Sequence, residues 1–301
     1  MDSNWIAQYV EYLKFDKFEE MFMLKTLHFP TSFYKYRKLD ERTLECIENG
    51  YLWMSEFDKL NDTFECSLIL DNESMLRDLF TAESNVKLFK AYGYTEVELS
   101  SIRNHINPFS EYRRIAKTKG IEIPLTEQQQ LERVRSAWKK DEVERNSNIR
   151  ICSFSTIKNS LLMWAHYSDE YRGICIEYDL IDSDKIRPWM QPVHYTDFRV
   201  RVKNFEEINS RLNVVASVTK STHWEYEKEW RLTYYLERQL ENGNKVQLPI
   251  PKVIYLGPSF EKNAENYKTK LKELAVRKGI QLIQMVVHET EYMIVPSVTK
   301  R

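Results

Sequence analysis

The segment ICSFSTIKNSLLMWAHYSDEYRGICIEYDL, residues 151–180, predicts a strand, a helix and a second strand in direct succession. ICSFS at 151–155 and GICIEYDL at 173–180 are short apolar runs of the kind that form buried strands. Between them, Asn159 or Ser160 begins a predicted helix over LLMWAHYSDEY, because both side chains are favourable helix caps. The segment therefore contributes two strands to a sheet.

A strand is also predicted near the N-terminus, where FYKYRKL spans residues 33–39. Side chains alternate between the two faces of a strand, so Lys35 and Arg37 share one face with the first phenylalanine, and Tyr34 and Tyr36 share the other. This strand combines basic and aromatic side chains. It is therefore a candidate binding element as well as a structural one.

Two further patterns extend the sheet. Asp40 caps a predicted helix, and YLWMSEF at 51–57 follows it as a strand. Near the C-terminus, VIYLG at 253–257, a helix from about 260 to 278, and IQLIQMVV at 280–287 form a strand, helix and strand, which predicts a parallel crossover. Sheet strands are thus expected on both sides of the middle of the chain.

The middle of the chain, residues 71–148, is rich in charge, poor in glycine and reads as a series of helices. Apolar residues also recur at helical spacing from Trp5 to Leu27, which predicts two short N-terminal helices. We therefore expect an α+β fold: a single domain over residues 1–301 with a central mixed or split β-sheet, N-terminal helices and a helical insertion at 71–148.

The composition excludes several classes of protein. Lys+Arg 44 against Asp+Glu 45 gives a net charge of -1, so no global positive field attracts nucleic acid or a membrane. The chain has 7 glycines and no Gly-rich phosphate-binding motif, which argues against Rossmann and P-loop folds. The 4 cysteines form no C-x-x-C pair and no histidine pair accompanies them, so no metal site is expected. Without a signal or membrane segment, the sequence predicts a cytoplasmic protein.

The most unusual stretch is HWEYEKEWRL, residues 223–232. If it is extended, Glu225, Glu227, Glu229 and Arg231 share one side, where three carboxylates repel one another. Either that side is solvated, or it is the wall of a site that needs negative charge. The guanidinium of Arg231 can hold the neighbouring Glu229 ionised and oriented. A glutamate held in this way suits cleavage of an N-ribosidic bond, because the sugar becomes cationic in the transition state.

Three other polar groups coincide with strand ends or turns, where rigid scaffolds often present binding residues. Each also has a purely structural interpretation: exposed lysine and arginine stems, turn chemistry, and aromatic core packing. Their functional interpretations are a phosphate or carboxamide clamp, a ligand-binding turn, and a stacking surface with a titratable group. The groups are Lys35 with Arg37, Asn61 with Asp62, and Trp164 with His166 and Tyr167.

These motifs, taken in order, resemble a widespread bacterial domain family of unassigned function. The resemblance rests on FYKYRKL, on YLWMSEFDKLNDTFE, on the WAHY motif at 164–167 and on E-x-E-W-R at 227–231. One departure is Thr63, which stands where the family usually has proline after the Asn-Asp pair. The shape of that turn is therefore left open.

The same order of motifs is remotely similar to the ADP-ribosyltransferase superfamily, including its DNA-modifying toxin branch. The resemblance implies a sheet of ADP-ribosyltransferase type, with NAD as the substrate and no metal. It further implies that Lys35, Tyr36 or Arg37 holds NAD and that Ser55 supports the nicotinamide ribose. Glu229 would bond the ribose 2'-hydroxyl, and Glu227 would assist the acceptor.

Three functions follow as hypotheses. The first is an ADP-ribosyltransferase or NAD glycohydrolase, as in a toxin or anti-phage defence effector, which binds NAD or a related nucleotide and acts on a nucleic-acid or protein acceptor. The second is a non-catalytic module that binds a nucleotide or a protein. The third is a metal-dependent nuclease, which ranks last because Glu177 and Asp179 lack the following lysine that such sites carry. The acceptor and the oligomeric state stay open.

Overall fold

A computed structural model describes residues 4–71, 77, 79–202, 210–235 and 244–297. These residues form two compact units. One comprises 1–65, 148–198 and 217–301, and the other comprises 66–147 and 199–216, each counted over its described residues. We call the first the sheet unit and the second the helical unit. The assignment of 71–148 as an insertion within a single domain stays a prediction from the sequence.

The described chain mixes helices and strands throughout. Its α-helices are Asn4–Lys14, Phe18–Leu27, Glu41–Asn49, Glu83–Ala91, Glu96–Asn104, Pro108–Thr118, Glu127–Ser147, Leu161–Tyr167, Ser210–Ser217 and Glu265–Lys278. Its strands are β1 Phe33–Arg37, β2 Tyr51–Trp53, β3 Ser55–Glu56, β4 Leu68–Leu70, β5 Ile149–Ser155, β6 Ile174–Tyr178, β7 Met190–Pro192, β8 His194–Tyr195, β9 Val200–Val202, β10 Thr219–Lys220, β11 Glu229–Tyr235, β12 Lys245–Gln247, β13 Val253–Leu256, β14 Gln281–Val287 and β15 Ile294–Pro296. The α+β class is confirmed.

The sheet unit is built on a central mixed sheet of nine strands. Eight of them follow the order β15-β14-β13-β6-β1-β5-β11-β7. Strands β13 and β14 are parallel, as the strand, helix and strand pattern predicts, and the other pairs of this sheet are antiparallel. The ninth strand, β3, pairs with β5. The two strands predicted at 151–155 and 173–180 are both present in this sheet, as β5 and β6.

The two faces of the sheet carry different side chains. On one face Phe33, Phe154 and Trp230 pack in the large hydrophobic core. On the other face Tyr36 and Trp164 belong to a smaller cluster, in which the helix Leu161–Tyr167 covers the sheet. The predicted alternation along residues 33–37 is therefore present, and the second face is the one that carries the polar residues discussed below.

Strand β5 has one edge that two strands share. Strand β1 pairs with it at Ser155, and β3 pairs with it at Ile151. At the position between these two pairings, the Lys35 ammonium donates a hydrogen bond to the backbone oxygen of Ser153. A side chain thus bonds to the edge of β5 between the two ladders.

Two predicted boundaries are wrong. YLWMSEF is not one strand but two, since β2 pairs with β12 and β3 pairs with β5. Between the two strands, the Met54 backbone N–H donates to the oxygen of Asn244 at 2.7 Å. The helix LLMWAHYSDEY ends at Tyr167, since the Ser168 hydroxyl donates to the Trp164 oxygen. The residues that follow, 169–171, have positive φ angles of 50, 52 and 68° and carry the chain back toward that helix.

The helical unit has its own hydrophobic core. Four helices between residues 83 and 147 confirm the predicted helical character of this stretch. Asn107 caps the helix that begins at Pro108. Phe80, Leu99 and Ile102 are fully or nearly fully buried. Across the described residues of both units, no helix is at once long and apolar enough to cross a membrane.

Candidate functional site

A row of four side chains crosses the central sheet on the face that carries Tyr36. Glu229 on β11 is opposite Ser155 on β5, Ser155 is opposite Tyr34 on β1, and Tyr34 is opposite Glu177 on β6. Directly opposed residues in antiparallel strands point to the same face. The register of three strand pairs therefore aligns two carboxylates, a hydroxyl and a phenol along one line, which we call the cross-strand row.

One end of the cross-strand row lies in a cavity of about 230 Å³. Strands β1, β5 and β11 supply its floor, and its walls come from the segment 59–65, the helix Leu161–Tyr167, strand β10 and the short 3-10 helix that ends at Glu227. The lining residues are Tyr34, Lys35, Tyr36, Lys59, Leu60, Asn61, Glu65, Ser153, Phe154, Ser155, Met163, Tyr167, Lys220, Glu227 and Glu229. Aromatic rings, hydroxyl groups and charged groups of both signs thus meet in one concave space.

The extended interpretation of HWEYEKEWRL is wrong for its first half. Residues 222–227 form a short 3-10 helix, in which the Ser221 side chain accepts from the His223 N–H. Lys228 then takes a left-handed conformation with φ 45°, and the strand begins at Glu229. Because of this turn Glu225 is exposed and pairs with Lys228 at 2.9 Å, whereas Glu227 is buried.

Five buried charged residues form a network at the cavity floor, which we call the charge cluster. Lys220 is at its centre, with its Nζ 2.6 Å from Glu227, 3.0 Å from Glu65 and 3.1 Å from Glu229. Arg231 donates to both oxygens of Glu229 at 2.7 and 3.0 Å and forms an ion pair with Glu65 at 3.0 Å. When all five are ionised, three carboxylates and two cations leave one negative charge.

The two glutamates of the E-x-E motif have opposite electrostatic environments. Burial acts to raise the pKa of Glu229, but Arg231 and Lys220 outweigh burial and hold that pKa well below its ordinary value. Burial and then the Glu229 carboxylate raise the pKa of Glu227 above its ordinary value, and Lys220 only partly offsets them. Glu229 is therefore the fixed anion of the site. Glu227 is the carboxyl group better suited to exchange a proton.

A chain of hydrogen bonds links Glu227 to the cavity wall. The Tyr167 hydroxyl donates to Glu227 Oε1 at 2.6 Å, and the Asn61 side-chain amide donates to the same hydroxyl at 2.9 Å. Lys220 donates to the other Glu227 oxygen. A carboxylate offers about four acceptor positions, so Glu227 has positions left for a ligand. Asn61 and Tyr167 together fix its orientation.

The hydrogen bond from Tyr167 has a measurable consequence. Because it stabilises the charged form of Glu227, its removal in Tyr167→Phe should raise the Glu227 pKa further. A titration followed by NMR of the labelled glutamate carboxyl carbons measures this shift. Tyr226→Phe is the matched control, since its hydroxyl contacts His166 at 3.1 Å rather than Glu227. An unchanged or lowered pKa in Tyr167→Phe would contradict the assigned hydrogen bond.

The cavity brings together half of the residues that the sequence singles out as site candidates. Lys35, Tyr36, Asn61, Tyr167, Glu227 and Glu229 line it. Arg231 lies directly behind Glu229 and is fully buried. Burial lowers the pKa of Lys35, whose ammonium bonds to the Ser153 oxygen. Strand β1 and the glutamates at 227 and 229 therefore line the same cavity, as the interpretation of the sequence requires.

The other candidates are not among the lining residues. Arg37 lies on the Phe33 face, Ser55 pairs with Ile151 beyond the cavity, and the Asp62 carboxylate accepts from the Phe64 N–H within its own turn. Trp164 is fully buried and donates to the Lys158 oxygen, as a core residue does. His166 is exposed and contacts Tyr226.

The sequence interpretation misses several residues of the site. Lys220 and Glu65 complete the charge cluster, and Ser153 and Ser155 form part of the cavity lining. Lys220 and Glu65 carry no local signal, because their partners are distant in sequence or in another element. The two serines do have a local sequence signal. In ICSFS they are the polar residues that alternate with apolar ones on a strand predicted to be buried.

No group of three or more His, Cys, Asp or Glu side chains is placed to hold a metal ion among the residues that the structure describes. In the charge cluster, Lys220 and Arg231 lie between the carboxylates and neutralise most of their charge.

Residues 163–232 match the model of a family described as a protein of unknown function, DUF2971. The matched segment contains residues 163–167 of the helix with Tyr167, the lysine at the centre of the charge cluster, and the E-x-E-W-R motif. No curated protein and no solved structure gives a significant match to the chain. The family description states no activity, so the chemistry has to be argued from the site.

Proposed function

We propose that this protein cleaves the N-glycosidic bond of NAD, as an ADP-ribosyltransferase or an NAD glycohydrolase. The observation that carries the proposal is the pair Glu227 and Glu229, both buried and both on the floor of a cavity with aromatic walls. Buried carboxylates beside a ligand cavity are costly to fold. The cost is understandable if the net negative charge of the charge cluster acts on a substrate.

In the proposed reaction, the bond between C1' of the ribose and the nicotinamide nitrogen breaks, and its electron pair goes to that nitrogen. The sugar then carries positive charge, which the ionised Glu229 stabilises more than it stabilises the neutral sugar. The acceptor, water or a nucleophilic group of another molecule, bonds to C1' and gives its proton to Glu227. Tyr167 orients Glu227 for this transfer.

The fold supports the same proposal. Adjacent strands β1, β5 and β11 supply, in order, the basic and aromatic motif, a serine pair and the late glutamate. This arrangement is similar to the three-motif order of the ADP-ribosyltransferase superfamily, with the serines of β5 in the role first assigned to Ser55. The shared edge of β5, where β1 and β3 pair separately, fits a split sheet of that type.

The direct test is incubation of the purified protein with NAD, with nicotinamide release followed by chromatography. We expect nicotinamide release by the wild type and by Glu225→Gln, because Glu225 is an exposed glutamate of the same segment that pairs with Lys228. The test is run with and without a mixture of nucleic acid and protein acceptors. Absence of nicotinamide release under both conditions would exclude NAD cleavage.

A second candidate function is a nucleotide-binding module without turnover. The observation that favours it is that Glu229 already accepts three hydrogen bonds, two from Arg231 and one from Lys220. This candidate predicts that NAD binds, that nicotinamide is not released, and that binding survives Glu229→Gln. Calorimetric titration with NAD, alongside the release assay, distinguishes the two functions.

A further inference from the structure

The other end of the cross-strand row carries a second polar cluster, outside the cavity. Glu177 accepts from the Ser32 hydroxyl and from the Tyr255 hydroxyl, each at 2.6 Å. Lys158 donates to the Tyr255 hydroxyl at 2.8 Å. Its Nζ is 4.6 Å from the ring centroid of Tyr255 and 5.7 Å from that of Tyr34. We call this group the Lys158 cluster.

The Lys158 ammonium is held in place without a carboxylate partner among the described residues. One N–H is used by Tyr255, and two aromatic faces stabilise the charge. Both oxygens of the nearby Glu177 face hydroxyl groups instead. The residue as a whole is half-buried. A fixed cation of this kind is suited to bind an anionic group of a ligand.

Tyr34 connects the Lys158 cluster to the cavity. It lines the cavity, and its ring is also one of the two that contact Lys158. Along the cross-strand row, Glu229 and Glu177 are separated by three strand spacings, which is about 14 Å. Tyr34 therefore contacts both the cavity of the proposed cleavage site and the Lys158 ammonium.

The cavity is too small for a whole dinucleotide. Its volume of about 230 Å³ is below the roughly 300 to 1,000 Å³ of sites that enclose drug-sized ligands. If the nicotinamide and its ribose occupy it, the remainder of the substrate has to lie outside. Tyr34 lines the cavity and its ring lies 5.7 Å from the Lys158 Nζ, which makes this lysine a candidate partner for the phosphates.

We propose that Lys158 binds the diphosphate of the dinucleotide substrate, with Tyr34 under the sugar-phosphate link and Tyr255 and Glu177 holding the ammonium in position. This inference rests on the proposed function, because it takes the cleaved ribose to lie over Glu229. It assigns a specificity role: the protein should distinguish a diphosphate-containing substrate from the nucleoside alone.

The test compares NAD with nicotinamide riboside, which lacks both phosphates, in the nicotinamide-release assay. In Lys158→Gln we expect the KM for NAD to rise about tenfold with kcat within twofold, and the KM for the riboside to be unchanged. Lys158→Arg should restore most of the affinity for NAD, because it keeps the charge. Lys252→Gln is the matched control, since Lys252 is an exposed lysine next to β13.

An unchanged KM for NAD in Lys158→Gln overturns the inference and leaves the proposed function intact. An equal rise in the KM for NAD and in the KM for the riboside also overturns the inference, because Lys158 would then act only on the structure of the cavity. If the wild type releases no nicotinamide, calorimetry with ADP decides separately. If Lys158→Gln binds ADP tenfold more weakly than the wild type, the anion site at Lys158 is supported although the proposed function has failed. If both proteins bind ADP equally, the anion site is overturned.

Discussion

Glu229→Gln should lower the rate of nicotinamide release at saturating NAD by about 100-fold or more. The reason is that glutamine has nearly the shape of glutamate but no charge, so the variant loses the anion that the proposed mechanism places beneath the cleaved bond. Arg231 and Lys220 hold the wild-type pKa of Glu229 well below its ordinary value, so the full charge is present at neutral pH and below it. Steady-state kinetics with NAD measure the effect.

Two controls make this result interpretable. Glu225→Gln makes the same chemical change at an exposed position four residues earlier, and its rate should equal that of the wild type. Calorimetric titration with NAD shows whether the variant still binds. A Glu229→Gln protein that binds NAD and releases nicotinamide at the wild-type rate would remove Glu229 from the mechanism.

Lys220→Met should lower the free energy of unfolding by roughly 3 to 5 kcal/mol at pH 7. The variant keeps three buried carboxylates, Glu65, Glu227 and Glu229, but only Arg231 remains to neutralise them. Methionine replaces the length and much of the volume of the lysine stem, so lost packing contributes little. Urea unfolding followed by tryptophan fluorescence measures the difference.

The loss should depend on pH. In the wild type the lowered pKa of Glu229 gives stability that is present above the pKa of an unfolded glutamate and lost as the pH falls through the folded value. In Lys220→Met the buried carboxylates bind protons more readily. The difference in the free energy of unfolding between the variant and the wild type should therefore shrink as the pH falls from 7 toward about 5. Lys228→Met, which removes an exposed ion pair, should change little at any pH. A loss for Lys220→Met that is the same at pH 7 and pH 5 would contradict the electrostatic explanation.

Helices and strands of this fold were predictable where the residues that specify them lie close together in the sequence. Asp40 caps its helix by accepting from the Thr43 N–H at 2.9 Å, as its position before an amphipathic stretch predicts. The parallel pair β13 and β14 follows from two apolar runs with a helix between them. The paired glutamate and arginine at 229 and 231 follow from the alternation of a strand. In each case the residues that decide the outcome lie within a few positions of one another.

The site was only partly predictable because its assembly depends on register between distant strands. Nothing near Lys220 in the sequence indicates that it contacts three carboxylates. Ser55 and Ser155 look equally suitable as a polar residue on a strand, and only the pairing of β5 with β1 and β11 selects the second. The turn at Lys228 also escaped prediction, because a lysine with positive φ is uncommon and depends on the surrounding contacts.

The alternation along β11 has a consequence for assembly of the sheet. A slip of this strand by one residue against β5 would move Trp230 and Leu232 into the cavity and drive Glu229 and Arg231 into the apolar core. Buried charges without partners cost far more than a lost hydrophobic contact. The charged residues proposed for catalysis therefore also disfavour a misaligned register of β11 during folding, because a slipped strand would bury them without partners.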